Sequence, residues 1–257
     1  MSDPPIVFRR LLPVPGAAGL DVDALLDEMF HAIAAPGERP RTIVNFVASA
    51  DGRVTVKGRS GELGDEGDRA LFHGLRQRVD AVMAGPNTIR IERYGRILGK
   101  AERRRRRLAA GMVAEPLACL LTRSGNVPIE APLFAEPDAR VVVFGPAAIK
   151  PELDACPAQV ELVALDPSEM TFTAALRRLR SDYGVRTLLC EGGPMVFGAL
   201  LGEGLVDELF LTLAPKLVGG GTGPSITHGP ELPEPASLRL QWLLEREHSL
   251  FARYAVN

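Results

Sequence analysis

Four short stretches of the chain carry residues whose types and spacing could do chemistry. In Cys190-Glu191-Gly192-Gly193-Pro194 a carboxylate stands at the end of a short apolar run, directly before two glycines that permit a sharp reversal. Pro194 suits the first position of a helix, and the free amides of that helix's first turn would point back at the glycines, making an anion site. Asn45 interrupts the apolar run 41–49, and Asp51-Gly52 follows it as a strong turn signal. Gly85-Pro86-Asn87-Thr88 is a second strand-to-turn unit, with a hydroxyl able to bond a phosphate or a ribose. Thr122-Arg123-Ser124 is a third, and an arginine between two hydroxyls suits a 2′-phosphate. Each residue also has a plainer reading: Glu191 capping nearby amides, Asn45 bonded to backbone at a bulge, Asp51 forming a turn. The glycines do not spell G-x-G-x-x-G, so an ordinary Rossmann fingerprint is a poor fit.

These turns need elements to hold them. Apolar runs at 41–49, 81–84, 117–121, 141–144, 160–165, 187–190 and 206–215 read as strands, several of them followed by helical patterns. The 160–165 strand, a helix with the stripe Phe172, Leu176, Leu179 and Tyr183, and the strand from Thr187 form a strand–helix–strand unit, which implies parallel pairing. Asp166-Pro167-Ser168-Glu169 has the residues of a capping box and is expected to open that helix. Another helix is expected from about Asp65, its N-cap, to Arg78, with Leu71, Leu75 and Val79 inward, Arg76 beside the stripe, and Arg69 and Arg78 freer to meet solvent. The helix after Pro194 is apolar on every side and is expected to be buried. Residues 238–247 and 249–256 alternate well enough for an antiparallel closing pair. Residues 1–40 hold a proline-rich lead and an amphipathic helix from about Asp21 to Ala34, ended by Pro36-Gly37. They form an extension to the domain of residues 41–257.

The whole chain narrows the class of function. Its 257 residues, 46% hydrophobic and 24% charged, are those of an ordinary soluble globular protein. A net charge of −2 argues against nucleic acid as a partner. The run Arg103 to Arg107 reads as a solvated helix face or a mobile loop rather than as a phosphate patch. Cys119, Cys156 and Cys190 stand far apart without a C-x-x-C, so they read as core thiols of a reduced cytoplasmic protein and give no metal site. No segment has signal-peptide character or the length of a membrane span.

Taken together, Asn45 with Ser49-Ala50-Asp51-Gly52-Arg53, Gly85-Pro86-Asn87-Thr88, Cys190-Glu191-Gly192-Gly193-Pro194, Asp207-Glu208-Leu209 and Ala214-Pro215-Lys216-Leu217-Val218-Gly219-Gly220 resemble the reductase domain of bacterial riboflavin biosynthesis. This is the pyrimidine reductase family, and the likeness covers about residues 41 to 255. It implies an α/β fold like that of dihydrofolate reductase: a mostly parallel central sheet, flanking helices and an antiparallel C-terminal strand pair. It also implies NADPH-dependent reduction of 5-amino-6-(5-phosphoribosylamino)uracil, with hydride going to the sugar C1 to leave a ribityl chain, by a cytoplasmic homodimer joined through an edge strand.

By position, the resemblance puts Ala48, Thr88, Glu92, Ser124, and Gly192, Gly193, Pro194, Met195, Val196 and Phe197 on the cofactor. Thr122 and Arg123 join them from their own chemistry. Asn45, Ser60, Arg76 and Arg96 fall on the substrate side, and Asp51 and Glu191 are the carboxylates expected to manage the proton. The chain departs from the family in three ways. It lacks the residues before 41, and the ligands, of the zinc deaminase found in bifunctional relatives, so it reads as the stand-alone reductase. Glu62 stands where a Trp often follows Ser-Gly. Leu98 stands near the place of an Arg that often follows Tyr-Gly, so Arg96 would have to take the substrate phosphate. Two rivals stay open: a reductase of the same fold acting on dihydrofolate or another pterin, and an NADPH-binding protein without turnover.

Overall fold

The computed structural model describes residues 6–12, 18–31, 37–221 and 223–257. In chain order the strands are β1 (Val7–Leu12), β2 (Ala18–Asp21), β3 (Arg41–Ser49), β4 (Ala81–Met83), β5 (Leu117–Leu121), β6 (Arg140–Gly145), β7 (Gln159–Ala164), β8 (Thr187–Cys190), β9 (Glu208–Ala214), β10 (Leu238–Arg246) and β11 (Ser249–Val256). They join in one sheet of order β2-β1-β10-β11-β9-β3-β8-β4-β5-β6-β7. From β9 to β7 every pairing is parallel, and from β9 outward through β11, β10, β1 and β2 every pairing is antiparallel. The fold is therefore the expected α/β type with its antiparallel closing pair.

The helices are α1 (Val22–His31), α2 (Glu66–Arg78), α3 (Pro86–Ile91), α4 (Ala101–Ala109), α5 (Pro132–Ala135), α6 (Lys150–Asp154), α7 (Phe172–Tyr183) and α8 (Pro194–Gly202). Side chains alternate between faces along a strand, and that alternation divides the core in two. Ile43 and Phe210 point to one face with Leu71 and Leu75 of α2 and Leu26 of α1. Val44, Phe46 and Leu209 point to the other with Leu176 and Leu179 of α7 and Phe197 and Leu200 of α8. Burying a side chain of this size stabilises by about 1.5–3 kcal/mol, so these two layers supply much of what holds the helices on the sheet.

Several local expectations change for physical reasons. The helix expected at Asp166 begins instead at Phe172, after a 3-10 turn at Pro167–Glu169. Its first amides are satisfied by Thr171, whose hydroxyl accepts from Ala174 N at 3.1 Å, and by Glu203, whose carboxylate accepts from Thr173 N at 2.7 Å. Arg78 is drawn in against α1, bonding Asp27 at 2.7 Å and Asp23 at 3.0 Å. The arginine run is the helix α4, yet Arg107 is only 1% exposed, because its guanidinium donates to the carbonyls of Gln77, Val79 and Val113. Helix α8 is buried on one side only, and Met195 on its open side is 61% exposed.

The N-terminal segments join the same sheet. Strand β1 pairs along β10, and Phe8 meets Phe251 edge-on at 4.9 Å. The helix is present as Val22–His31, while its expected end at Ala34, the Pro36 stop and the prolines of the lead lie outside the described residues. So does Thr222. No helix of the described residues is long and apolar enough to cross a membrane.

Candidate active site

A cavity of about 1170 Å³ opens above the carboxyl ends of β3, β8, β4 and β5, where open α/β sheets bind ligands. Four turns reach it for the same reason: each follows a parallel strand. Thirteen of the residues singled out in the sequence line it. They are Asn45, Ser60 and Arg76 of the expected substrate set, Glu191, and Thr88, Glu92, Thr122, Arg123, Ser124, Gly193, Pro194, Met195 and Val196 of the expected cofactor set.

One side of the cavity has the chemistry of a nucleotide cradle. The Gly192–Gly193 peptide is cis, and Gly192 has φ +89° with the Phe46 ring 2.8 Å from where a Cβ would stand. A Cβ on Gly193 would come within 2.9 Å of Thr88 Oγ1, so only glycine lets the turn sit this close. Helix α8 starts directly after it, and its first turn faces the opening with Met195 and Val196. Across from it, Arg123 donates from Nε to Met170 O at 3.2 Å, with Thr122 and Ser124 on either side of it. A helix start, glycines packed to contact and an arginine between hydroxyls fit a dinucleotide phosphate carrying a 2′-phosphate.

The other side is built on α2 and on the chain after α3. Arg76 Nε and one terminal nitrogen each donate to a different oxygen of Glu191 at 2.6 Å, and Tyr94 Oη donates to the same carboxylate at 2.5 Å. Burial alone would make Arg76 easier to deprotonate, but the charge and hydrogen bonds of Glu191 outweigh it and raise its pKa. Burial, and then the charge of Glu191, raise the Tyr94 phenol well above the usual tyrosine range. Arg76 also lies 4.2 Å over the Phe72 ring, and its NH1 donates to Ile97 O at 3.0 Å. Nearby, Ser60 donates from both its amide and its hydroxyl to Glu92 Oε1 at 2.9 Å, so an expected substrate residue and an expected cofactor residue are tied together.

Five expected residues lie off the cavity wall. Ala48 points into the core on the α8 side, and Phe197 is buried there, stacked 5.4 Å from Phe46. Gly192 backs onto the same ring. Asp51 is turned to the chain after β9, where it accepts from Ser49 Oγ, Val218 N and Gly219 N. Those bonds, the serine's first, lower its pKa to about 2, and they hold the carboxylate off the cavity wall, away from where a group managing the proton was expected. Arg96 is corrected as the phosphate anchor: it points away from the cavity to Glu115, Glu136 and Asp138, at 2.9, 3.3 and 3.4 Å.

Sequence reasoning passed over several wall residues. Arg69 and Phe72 precede Arg76 by seven and four positions, one face of a helix, so helical phase could have placed them together. Asp68, Arg93 and Tyr94 also line the cavity. Arg69 and Arg93 form no ion pair or side-chain hydrogen bond among the described residues, although both face this space.

The family described as RibD C-terminal domain matches residues 40–248. Among curated proteins, a 2,5-diamino-6-ribosylamino-4(3H)-pyrimidinone 5′-phosphate reductase of Archaeoglobus fulgidus is 29% identical over 192 residues, 74% of this chain and 87% of that protein. A protein of the same name from Methanothermobacter thermautotrophicus is 25% identical over 213 residues, 82% and 94% of the two chains. Among solved structures, a pyrimidine reductase-like protein from Corynebacterium diphtheriae superposes with a TM-score of 0.70 at 26% identity, covering 85% of this chain and 92% of that one. With the family match covering most of its length, the chain belongs to the RibD C-terminal domain family.

Proposed function

We propose that this protein is the reductase of riboflavin biosynthesis that converts a 6-(5-phosphoribosylamino)pyrimidine into its ribitylamino product with NADPH. The observation that carries the reading is one cavity with two unlike sides: a glycine turn, helix start and arginine suited to a dinucleotide, facing a wall of Arg69, Phe72, Arg76 and Arg93 suited to a ring and a phosphate. The names of the archaeal relatives support it.

Bound NADPH supplies a hydride. The chain's own groups position the reactants and exclude water. Gly193, Met195, Val196 and Thr88 would hold the pyrophosphate side, and Thr122, Arg123 and Ser124 the 2′-phosphate. The phosphate of the sugar needs a cation with donors to spare, and Arg69 and Arg93 have them, whereas Arg96 is occupied by three carboxylates. Glu191 has both oxygens committed to Arg76 and Tyr94, so its role is to fix those two groups in the wall rather than to shuttle a proton. A cytoplasmic homodimer joined through an edge strand is part of the same proposal.

The test is NADPH oxidation with 5-amino-6-(5-phosphoribosylamino)uracil, or its 2,5-diaminopyrimidinone counterpart, as sole acceptor, with dihydrofolate beside them. Turnover of a phosphoribosyl acceptor is expected. NADPH binding with no oxidation by either one rejects the reading, and turnover of dihydrofolate alone moves the enzyme to pterins.

A further inference from the structure

Along the face of the sheet that α2 covers, the core is apolar until it reaches the cavity, and there it turns polar. Ile43 and Phe210 pack under Leu71 and Leu75. Two residues further along each strand stand Asn45 and Thr212 on the same face, and one turn before Leu71 on the helix stands Asp68. Asn45 and Asp68 both line the cavity. Asn45 Oδ1 is buried with no hydrogen-bond partner among the described residues, and so is Thr212 Oγ1. An orphaned acceptor at a cavity wall is costly unless something donates to it.

Asp68 is the companion to that acceptor. Its carboxylate makes no side-chain hydrogen bond of good geometry, and Gly64 leaves it room: a Cβ there would stand 2.3 Å from Asp68 Oδ2. Burial raises the pKa of Asp68. The Thr212 hydroxyl beside it works against that rise, while the charge of Asp65 adds to it and that of Arg69 opposes it. The wall thus presents three oxygens, and a carboxylate in its ionised form accepts hydrogen bonds there and gives none.

We propose that Asp68 reads the pyrimidine ring, taking the N3–H and the exocyclic 2-amino group of a 2-amino-4-oxopyrimidine on its two oxygens, while Asn45 Oδ1 accepts a further amine N–H of the same ligand. This rests on the proposed function and deepens it. A uracil ring carries O2 where the 2-amino group stands, so along its N3–C2 edge it offers one donor and sets a carbonyl against the carboxylate. The favoured substrate is therefore the 2,5-diaminopyrimidinone form, and the reduced product keeps its 2-amino group. A hydrolytic deamination, with water entering and ammonia leaving at C2, then has to follow this step rather than precede it.

The experiment compares kcat/KM for the two phosphoribosyl acceptors, which differ only in the C2 substituent and the proton it places on N1, in the wild-type protein and in Asp68→Asn. The wild type is expected to favour the 2-amino form by about a hundredfold or more, since a site built for two donors rejects a ligand that lacks one. The carboxamide of Asp68→Asn can donate to O2 and accept from N3–H, so the ratio is expected to fall at least about tenfold or to invert. A wild-type ratio near one or favouring uracil overturns the assignment, as does a ratio unchanged in Asp68→Asn. If neither acceptor is reduced, the proposed function fails and the assignment is decided separately by calorimetry on the unmutated protein. Tighter binding of 2,6-diaminopyrimidin-4-one than of 6-aminouracil supports it, and equal binding overturns it. Turnover of dihydrofolate alone, lost in Asp68→Asn, would keep the assignment and make a pterin the source of the ring.

Discussion

Arg76 and Glu191 meet through two parallel hydrogen bonds of 2.6 Å, with their side chains 11% and 2% exposed. One comes from the last turn of α2 and the other directly follows β8, so the pair bolts a helix to the strand beneath the cavity. A fork of this kind is both a strong charge-assisted contact and a costly burial of two ions.

Removing one partner should therefore be worse than removing both. Glu191→Gln or Arg76→Met is expected to cost about 3–5 kcal/mol of stability in urea unfolding, because each leaves a buried group without its counter-charge. The double variant Arg76→Met/Glu191→Leu is expected to recover at least about half of that. Turnover should stay low in all three while NADPH affinity is kept, since the pair forms the substrate wall. A double variant no more stable than the singles would show that the two ions act separately.

The arginines of the cavity should separate from the one outside it. Arg69→Ala and Arg93→Ala are each expected to raise KM for the phosphorylated acceptor about ten- to a hundredfold, the loss of a charge-assisted phosphate contact of roughly 1.5–3 kcal/mol. Arg96→Ala is expected to leave KM unchanged and to alter stability by about 1 kcal/mol, since Glu136 and Asp138 are open to solvent and only Glu115 is largely covered. Steady-state kinetics against acceptor concentration decides it, and a raised KM in Arg96→Ala would return the phosphate to that residue.

Asp51 should make the turn after β9 acid-sensitive. Its pKa is about 2 in the fold against roughly 3.9 for a free aspartate. A lowered pKa means the contribution is complete above about pH 4 and disappears as pH falls through 2. Amide exchange at Val218 and Gly219, corrected for its intrinsic pH dependence, is expected to be slow at pH 5 and fast at pH 2. Asp51→Asn should give exchange that does not change over that range.

Much of this architecture could be read before any coordinates, because the strand runs, the glycine turns and the Asp65 cap are local signals. Asp65 does accept from Asp68 N, at 2.8 Å. What could not be read depended on partners far along the chain. Arg96 is held by acids from 19 to 42 residues away, as no local pattern announces. Five consecutive arginines look alike in sequence, and only the phase of α4 against the end of α2 selects Arg107 for burial. Asp68 and Arg69 are polar helix positions of the kind that normally meets water, and periodicity cannot tell water from a cavity. The apolar sides of α8 misled for the converse reason: a surface shaped for a ligand has the composition of a core.

Strand β1 lies outside the family's matched range, yet it covers the outer edge of β10 and plants Phe8 against Phe251. The boundary of shared ancestry and the boundary of the cooperative unit therefore do not coincide. A chain begun just before β3, without β1, would present β10 as a bare edge, with a row of unpaired amides and carbonyls ready to pair with a neighbour. Its first failure would be aggregation in the test tube, while the distant catalytic half still held its shape.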